Sequence, residues 1–223
     1  MRVLAVADHV DPLVYSPAIK ERFPDIDLVL GAGDLPMDYY DYIVSCLNRP
    51  LVFVFGNHNL RHLEFFRGKT DALTAAGAYP HAGSRRMPGG IYVDRKVRKI
   101  RGLLIAGLVG SPWYNGGPNQ FTENQMKWTL WKLQPLLWWN RGVDIVISHA
   151  PPRLVHDAED RCHRGFKSFH ALIRRFSPSY FIHGHIHARF NDPSERMTII
   201  NQTKVVNSYG HYLFEIDTGR ATE

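Results

Sequence analysis

The sequence has few cysteines, no long hydrophobic run and no region enriched in glycine or proline. Its two cysteines, Cys46 and Cys162, are too few for a disulfide framework and form no Cys-x-x-Cys motif, which excludes zinc-finger and thioredoxin-type sites. No apolar run approaches the roughly 18 residues that a membrane span needs. The 18 glycines and 14 prolines are dispersed, which excludes collagen-like and low-complexity classes. These absences predict a globular protein with no membrane partner.

The chain has no internal repeat, linker or shift of composition. Its 223 residues, 44% of them hydrophobic, are enough for one sizeable core, so we predict a single domain over residues 1–223. The apolar stretch at residues 3–7 meets Asp8 too early for the apolar segment of a secretion signal, and a cytoplasmic location is therefore expected. No pattern indicates the oligomeric state.

The chain is basic, with 27 Lys and Arg against 21 Asp and Glu, a formal net charge of +6 and 12 histidines. Positive charge attracts phosphates without selecting among them. The densest basic stretch, which precedes an apolar run, contains Arg95, Lys96, Arg98, Lys99 and Arg101. It is typical of the exposed side of a hairpin, and a nucleic-acid contact surface is the alternative.

Short apolar runs rich in Val, Ile and Leu predict strands buried on both faces. They lie at residues 3–7, 28–30, 51–55, 103–108 and 145–148. Segments long enough for crossover helices separate several of them, at residues 16–23, 39–48 and 122–140, and this alternation predicts an α/β fold. Four tryptophans of the last segment are expected to be helix packing residues: Trp128, Trp131, Trp138 and Trp139.

The last quarter of the chain has a different pattern. After a helix predicted at residues 168–176, short strands are predicted at residues 180–182, 197–200, 204–207 and 212–216. We predict that this tail forms a second, meandering sheet. The two sheets would pack face to face, with helices on the outer sides.

Polar side chains follow the apolar runs at the points where the strands are predicted to end. They are Asp8, the Asp34 of Gly-Ala-Gly-Asp, the Asn57 of Gly-Asn-His, His149, and His185 with His187 of Gly-His-Ile-His. Ligand sites of α/β sheets form outside the carboxyl ends of strands, so side chains distant in sequence can converge there. Taken singly, Asp34 could cap a helix, Asn57 could stabilise a turn and His149 could be structural. Their joint occurrence predicts one polar cluster.

The donor atoms of this set are carboxylate and amide oxygens and imidazole nitrogens, a combination that suits borderline divalent metals. Two neighbouring cations repel each other, so a binuclear site needs a carboxylate between them, and we predict Asp34 as that bridge. Glycines before Asp34 allow the backbone to approach closely. His185 and His187, two residues apart in an extended segment, lie on one side of it, so each can serve one metal.

In the order Asp, Gly-Asp, Gly-Asn-His, His and Gly-His-x-His, these motifs resemble the calcineurin-like metallophosphoesterases over residues 8–187. The resemblance implies an α/β fold in the form of a four-layer αββα sandwich, two mixed β-sheets flanked by helices. It also implies two divalent metal ions, manganese first, with iron, zinc, nickel or cobalt as alternatives. By position, Asp34, Asn57, His149 and His185 would hold one metal, and Asp8, Asp34 and His187 the other.

The sequence departs from the family pattern at position 10. The family usually opens with Asp-x-His, whereas Val10 stands at the place of that histidine and cannot bind a metal. Asp11 can replace it if Pro12 turns the Asp11 carboxylate inward. His9 can replace it if a loop begins at Asp8, and otherwise water fills the gap. The result would be a weaker, more oxygen-rich site.

The resemblance implies hydrolysis of a phosphodiester or phosphomonoester by a hydroxide that bridges the metals. His58 is the predicted catalytic residue, which would protonate the leaving oxygen or hold the phosphoryl group, and a hydrogen bond to a metal ligand is its structural alternative. The candidate substrate-binding residues are His163, Arg164, Tyr114 and Asn115. A small phosphorylated compound is the expected substrate.

Two other functions stay open at this point. A nuclease would act on nucleic-acid phosphodiesters and would use the basic hairpin to track the strand. A non-catalytic metal-binding scaffold of the same fold is the second alternative, because Val10 is the kind of change with which loss of a site could begin.

Overall fold

The computed structural model describes residues 1–58, 60, 63, 66, 90–187, 190 and 192–218. Its strands are β1 (Arg2–Ala7), β2 (Leu28–Gly31), β3 (Leu51–Phe53), β4 (Gly90–Tyr92), β5 (Val97–Ile100), β6 (Leu103–Leu108), β7 (Ser111–Pro112), β8 (Gln120–Phe121), β9 (Ile145–Ser148), β10 (Tyr180–His183), β11 (Met197–Ile200), β12 (Thr203–Asn207) and β13 (Gly210–Glu215). Its α-helices within these residues are α1 (Ile19–Arg22), α2 (Met37–Leu47), α3 (Glu123–Trp139) and α4 (Ser168–Phe176), and a 3₁₀ turn spans Pro193–Arg196.

Two mixed sheets form the centre of the fold. Sheet 1 has the strand order β13-β1-β2-β3-β4, in which β13 pairs antiparallel with β1 and all other neighbours are parallel. Sheet 2 has the order β11-β12-β10-β9-β6-β5, parallel in its middle and antiparallel at both edges. The parallel pairing brings the carboxyl ends of β1, β2 and β3 to one edge of sheet 1, and those of β6, β9 and β10 to one edge of sheet 2.

Alternation of side chains along the strands buries both faces of each sheet. On the inner faces, Ala5 and Leu30 of sheet 1 belong to the same core as Ile147 and Ile182 of sheet 2. This shared core is completely shielded from solvent at these positions. It holds the two sheets face to face.

Helices cover the outer faces. Val6 and Phe53 of sheet 1 pack against Ile19 of α1 and against Tyr40 and Ile43 of α2. On the other side, strand residues of sheet 2 pack against α3 and α4, with Val146, Phe181, Leu130, Leu133 and Phe169 as members of that cluster. The layers therefore follow the order α, β, β, α, which confirms the predicted four-layer sandwich.

The long helix α3 begins where the sequence predicts it. The Thr122 hydroxyl accepts a hydrogen bond from the Gln125 amide while the Gln125 side chain accepts one from the Thr122 amide, which is a capping box. The helix ends at Asn140, whose amide donates to the Leu136 carbonyl. No helix in the described part of the chain is both long and apolar enough to cross a membrane.

The basic stretch lies on a hairpin, as predicted. Its strands β5 and β6 pair antiparallel, and Arg98 and Lys99 are exposed on the edge strand. Arg101 and Gly102 make the turn between them with φ angles of 49° and 89°.

The prediction that the tail forms its own sheet is wrong. Strands β10, β11 and β12 complete sheet 2 beside β9 and β6, and β13 joins sheet 1 beside β1. The sequence of a short apolar strand does not identify the strand that will pair with it, because its backbone groups can form hydrogen bonds with those of any other strand.

The prediction that the four tryptophans of α3 pack inside is also wrong. Trp128, Trp131, Trp138 and Trp139 are all exposed, whereas Met126, Leu130, Leu133 and Leu137 form the buried side of the helix. Aliphatic side chains at this spacing already fill the space above sheet 2. The indoles are left on the opposite side.

Candidate metal centre

The chain turns sharply within three residues after several strands, where the carboxyl-end edges of the two sheets face each other. Asp8 after β1, Asp34 after β2 and His185 after β10 all have left-handed backbones, with φ angles of 62°, 56° and 70°. Non-glycine residues adopt this region at a cost, and such residues concentrate at functional sites. These turns direct the side chains that follow the strands into the space between the two sheet edges.

His149, the residue after β9, lies at the centre of the resulting cluster. Its Nε2 is 3.2 Å from Asp34 Oδ2, 3.1 Å from Asn57 Oδ1 and 3.2 Å from His185 Nδ1. All four side chains are buried. The structure thus brings together Asp34, Asn57, His149 and His185, which belong to four separate motifs of the sequence.

The hydrogen bonds around this cluster define which atoms face its centre. His149 Nδ1 is 2.9 Å from the Ala32 carbonyl and His185 Nε2 is 2.6 Å from the Cys162 carbonyl. A carbonyl only accepts, so both of these ring nitrogens carry a proton, and the other nitrogen of each ring offers a lone pair when that ring is neutral. The Asn57 amide nitrogen donates to the Tyr114 hydroxyl, which leaves Asn57 Oδ1 facing His149.

When His149 is neutral, four lone pairs meet in one buried space: two imidazole nitrogens, an amide oxygen and a carboxylate oxygen. A cation with ligand distances of about 2.0–2.2 Å holds adjacent donors roughly 2.8–3.6 Å apart at octahedral or tetrahedral angles, a range that includes the separations around His149 Nε2. Acceptors that face one another without a proton or a cation would be strongly unfavourable in a buried site. The donor set thus fits a borderline divalent metal.

A second group of donors extends the cluster toward solvent. Asp8 Oδ2 accepts the His185 amide at 2.9 Å, whereas the buried Asp8 Oδ1 has no hydrogen-bond partner among the described residues. Asp8 Oδ1 lies 3.7 Å from Nε2 of the half-exposed His187 and 3.9 Å from His149 Nδ1. Ligand atoms of Asp8, Asp34 and His149 all lie within 4.8 Å of one another. An unpartnered buried carboxylate oxygen beside an imidazole fits a second cation.

The electrostatics of the cluster show an excess of negative charge. Burial disfavours a charged His149, yet the carboxylates of Asp34 and Asp8 raise its pKa to about 9. Burial of Asp34 acts to raise the pKa of its carboxyl, but the charge of His149 and hydrogen bonds from His149 and the His58 amide lower it to about 2. A bound cation would take the place of the proton on His149 Nε2 and would balance the negative charge of the same carboxylates. His185 differs, because burial and the charge of His149 lower its pKa to about 3, so its ring stays neutral and able to act as a ligand.

Glycines let the two sheet edges approach this closely. A Cβ on Gly33, which has a φ of 99°, would lie 2.6 Å from His149 Nδ1. A Cβ on Gly56 would meet the Asp34 carboxylate and the His149 ring. Any side chain at either position would push the ligand atoms apart.

The three residues near the missing family histidine lie at the rim. Val10 packs, partly buried, against the apolar cluster under α1 and α2. The Asp11 carboxylate accepts from Leu13 N at 2.8 Å and lies 2.7 Å from His211 Nδ1, and the exposed His9 stacks on Tyr209. The choice among Asp11, His9 and water as the replacement ligand stays a prediction.

His58, the predicted catalytic residue, lies at the mouth of the cluster. Its backbone amide donates to Asp34 Oδ1 at 2.8 Å, while its side chain is exposed. Tyr114, predicted to line the pocket, contacts the Asn57 side chain directly through its hydroxyl. Asn115 is tied to the same loop through Gln120, whose amide donates to Asn115 Oδ1 at 2.7 Å.

The other two candidate substrate-binding residues follow Cys162 on the far side of the cluster. The His163 ring lies 5.8 Å from the His185 ring and its Nδ1 is 2.7 Å from Asp160 Oδ2. The exposed Arg164 donates from Nε to the Glu159 carbonyl. Arg164 and Trp113 line one cleft of about 590 Å³. None of the candidate ligand residues lines this cleft, although Tyr114, next to Trp113, contacts Asn57 and His163, next to Arg164, contacts His185.

Several contributors to the site were not found from the sequence. The Ala32 and Cys162 carbonyls set the tautomers of His149 and His185, and a backbone group carries no signal of its own in a sequence. Tyr209 lies between the His9 and His187 rings, with centroid distances of 5.8 and 5.1 Å. Its position in a turn between two tail strands was its only signal.

The sandwich and the carboxylate-imidazole cluster at its strand ends define an α/β protein with a candidate metal centre. A family model described as calcineurin-like phosphoesterase matches residues 1–189. This chain therefore belongs to the calcineurin-like phosphoesterase family.

Solved structures show the same fold. One aligns with a TM-score of 0.64 at 15% identity, over 95% of this chain and 93% of the other. The protein TT1561 of Thermus thermophilus aligns with a TM-score of 0.60 at 16% identity, over 94% of this chain and 89% of the other. At these identities the likeness concerns the fold alone. A comparison with curated proteins gives no significant match.

Proposed function

We propose that this protein is a metal-dependent phosphoesterase that hydrolyses a phosphodiester or phosphomonoester of a small compound. The observation that carries the proposal is the convergence of three donor atoms, Asp34 Oδ2, Asn57 Oδ1 and His185 Nδ1, on His149 Nε2 at 3.1–3.2 Å. Beside them lies the buried Asp8 Oδ1, which has no hydrogen bond among the described residues. Membership of the calcineurin-like phosphoesterase family supports this chemistry.

Two divalent ions would be held by the cluster. Asp34, Asn57, His149 and His185 would hold one, Asp8 and His187 the other, and Asp34 would serve both. Such ions, when bound, stabilise charge on phosphoryl oxygens and activate water at neutral pH. Nitrogen and oxygen donors without a thiolate suit manganese, and iron, zinc, nickel and cobalt also match the set.

The chain's own residues supply the remaining steps. The exposed His58 side chain can reach a phosphate at the mouth of the cluster and give a proton to its leaving oxygen. Its backbone amide holds Asp34 Oδ1, and Tyr114 holds the Asn57 amide, so both ligands keep their orientation. The cleft lined by Trp113 and Arg164 can take the part of the substrate beyond the phosphate, with the guanidinium near its negative charge.

Elemental analysis of freshly purified protein, joined to a screen of chromogenic phosphodiesters, phosphomonoesters and an oligonucleotide with each divalent metal, tests the proposal. We expect nearly two metal ions per chain and metal-dependent turnover of a small ester. Full metal content with no turnover by any metal would identify a non-catalytic scaffold. Preference for the oligonucleotide, with steep suppression by salt, would identify a nuclease.

His58→Ala is expected to lower kcat by about 100-fold or more while metal content stays at the wild-type level, because the side chain lies outside the ligand group and acts on the leaving oxygen. The loss should be smaller for an ester with a good leaving group such as nitrophenolate, which needs no proton. Turnover of two esters of different leaving-group acidity measures this. Equal losses for both esters, or loss of metal, would reject the assignment.

A further inference from the structure

Helix α3 carries an exposed aromatic surface that the phosphoesterase site does not use. Trp128, Trp131, Trp138 and Trp139 are 61%, 62%, 54% and 89% exposed, and Leu136 is 46% exposed. A concentration of large exposed apolar side chains on one helix of a globular protein is typical of an interaction site. We name this set of five residues the tryptophan face.

Packing inside the protein does not account for the tryptophan face. At 100° per residue, the indoles lie on the side of α3 opposite to Met126, Leu130, Leu133 and Leu137, which fill the contact with sheet 2. α3 is therefore apolar on both sides. Among the described residues, only one side packs into a hydrophobic core; the guanidinium of Arg175 covers one face of Trp138 on the other.

The charges around the tryptophan face have one sign. Lys127 and Lys132 of α3 and Arg174 and Arg175 of α4 are exposed beside it. The sole acidic residue of the two helices is Glu123, and its carboxylate accepts the backbone amides of Lys167 and Ser168. These cations favour an occupant that is anionic as well as apolar.

The shape of the face favours a broad surface over a peptide in a groove. A groove of about 720 Å³ between α3 and α4 is lined by Trp128 and Trp131 among others, but Leu136, Trp138 and Trp139 lie outside it. The 17 residues of α3 extend over about 25 Å. An occupant of the groove alone would leave the most exposed indole, that of Trp139, in water.

A nucleic acid and a second copy of the chain fit this face less well. A base stacks on a free ring face, yet Arg175 covers one face of Trp138 at 4.7 Å, and Trp128 and Trp131 already pack edge to face at 5.3 Å. A second copy of the chain would bring Lys and Arg against Lys and Arg. Tryptophan and basic residues together are typical of the interface between water and a bilayer.

We propose that the tryptophan face, with its four flanking cations, binds the surface of an anionic lipid bilayer. The indoles would enter the headgroup region and the cations would lie beside anionic headgroups. This contact needs no membrane-spanning helix, and it departs from the expectation of no membrane partner drawn from the absence of an apolar run. It is independent of the metal centre.

Sedimentation with vesicles tests the proposal, with the full chain and two vesicle types: phosphatidylcholine alone, and an equimolar mixture with phosphatidylglycerol. We expect binding to the anionic vesicles, a blue shift of tryptophan emission on binding, and weakening by salt. Trp131→Ala with Trp139→Ala should lower the partition coefficient by about 10-fold or more. Lys132→Gln with Arg174→Gln should lower it by roughly 25-fold, since each cation near such a surface contributes about 5-fold.

Trp113→Ala is the matched control, because Trp113 is 57% exposed but lies outside the tryptophan face. Its partition should equal that of the wild type, and thermal melting should show that all variants fold. No binding to anionic vesicles at low salt would overturn the proposal. Binding that the Trp131 and Trp139 substitutions leave unchanged would also overturn it. A dimer that buries the indoles, detected by analytical ultracentrifugation, would do the same. Displacement of the protein from vesicles by a single-stranded oligonucleotide at stoichiometric concentration would likewise contradict it.

Discussion

Asp34→Asn is expected to lower kcat/KM for a small phosphoester by more than about 100-fold and to reduce the bound metal to one ion per chain or fewer. Substitutions that touch a metal ligand only through its hydrogen bonds already cost about 10- to 100-fold, and Asp34 is proposed as the ligand common to both ions. Its Oδ2 lies 3.2 Å from His149 Nε2 and its Oδ1 holds the His58 amide. An amide would keep the shape but remove the charge that two cations share. Metal content by mass spectrometry and steady-state kinetics measure both effects.

Asp38→Asn is the matched control for this substitution. Asp38 is exposed in the first turn of α2, four residues after Asp34, and takes no part in the cluster. Wild-type activity and metal content are expected for it. If Asp34→Asn keeps two metal ions and its turnover, Asp34 does not bridge them and the proposed centre is wrong.

Gly33→Ala is expected to destabilise the protein by about 3–5 kcal/mol and to abolish high-affinity metal binding. Two effects add at this position. The φ of 99° strains any side chain, and the new Cβ would lie 2.6 Å from His149 Nδ1 and 2.7 Å from the Gly56 amide nitrogen. Relief of these contacts would separate the edges of the two sheets where the ligands meet. Urea unfolding and calorimetric titration with Mn²⁺ measure the two losses.

Gly102→Ala separates the steric effect from the backbone effect. Gly102 has a similar φ of 89°, but the nearest atom to a Cβ added there would be the Cβ of Thr218, 4.0 Å away. Only the backbone strain of about 1 kcal/mol is therefore expected. Its metal affinity should stay that of the wild type. Equal destabilisation by both substitutions would show that close approach at Gly33 is not what assembles the site.

Prediction of the fold from the sequence succeeded where the local pattern was strong. The runs at residues 103–108 and 145–148 became β6 and β9 with the same bounds, and the segment predicted at residues 122–140 became α3, which the structure shows to begin with a capping box at Thr122. Both are local: a strand buried on two faces needs consecutive apolar residues, and a capping box needs two residues three apart. The partners of β13 and β10 could not be predicted, because strands rich in apolar residues resemble one another and pairing depends on contacts between segments that are distant in the chain.

For the site as well, local motifs could be recognised in the sequence, whereas contacts between distant segments could not. The motifs identified Asp34, Asn57, His149 and His185, which the structure brings together. Polar side chains that follow buried parallel strands all lie at the carboxyl ends of those strands. Tyr114 was predicted for the pocket, but not its contact with Asn57. Exposure of Trp139 could not be predicted either, because a helix with apolar residues on both sides does not indicate which side the sheet will cover.

The sequence by itself determined the types of donor atom, the α/β class and the boundaries of the main strands, all of which depend on residues close together in the chain. Tertiary structure decided the rest. Face-to-face packing of the two sheets brings Asp34, at an edge of sheet 1, beside His185, at an edge of sheet 2, and the Ala32 and Cys162 carbonyls select the imidazole nitrogens that face each other. Helix packing left four indoles in water. These outcomes depend on which surfaces meet when the layers assemble, and contacts between distant segments exist only after the chain has folded.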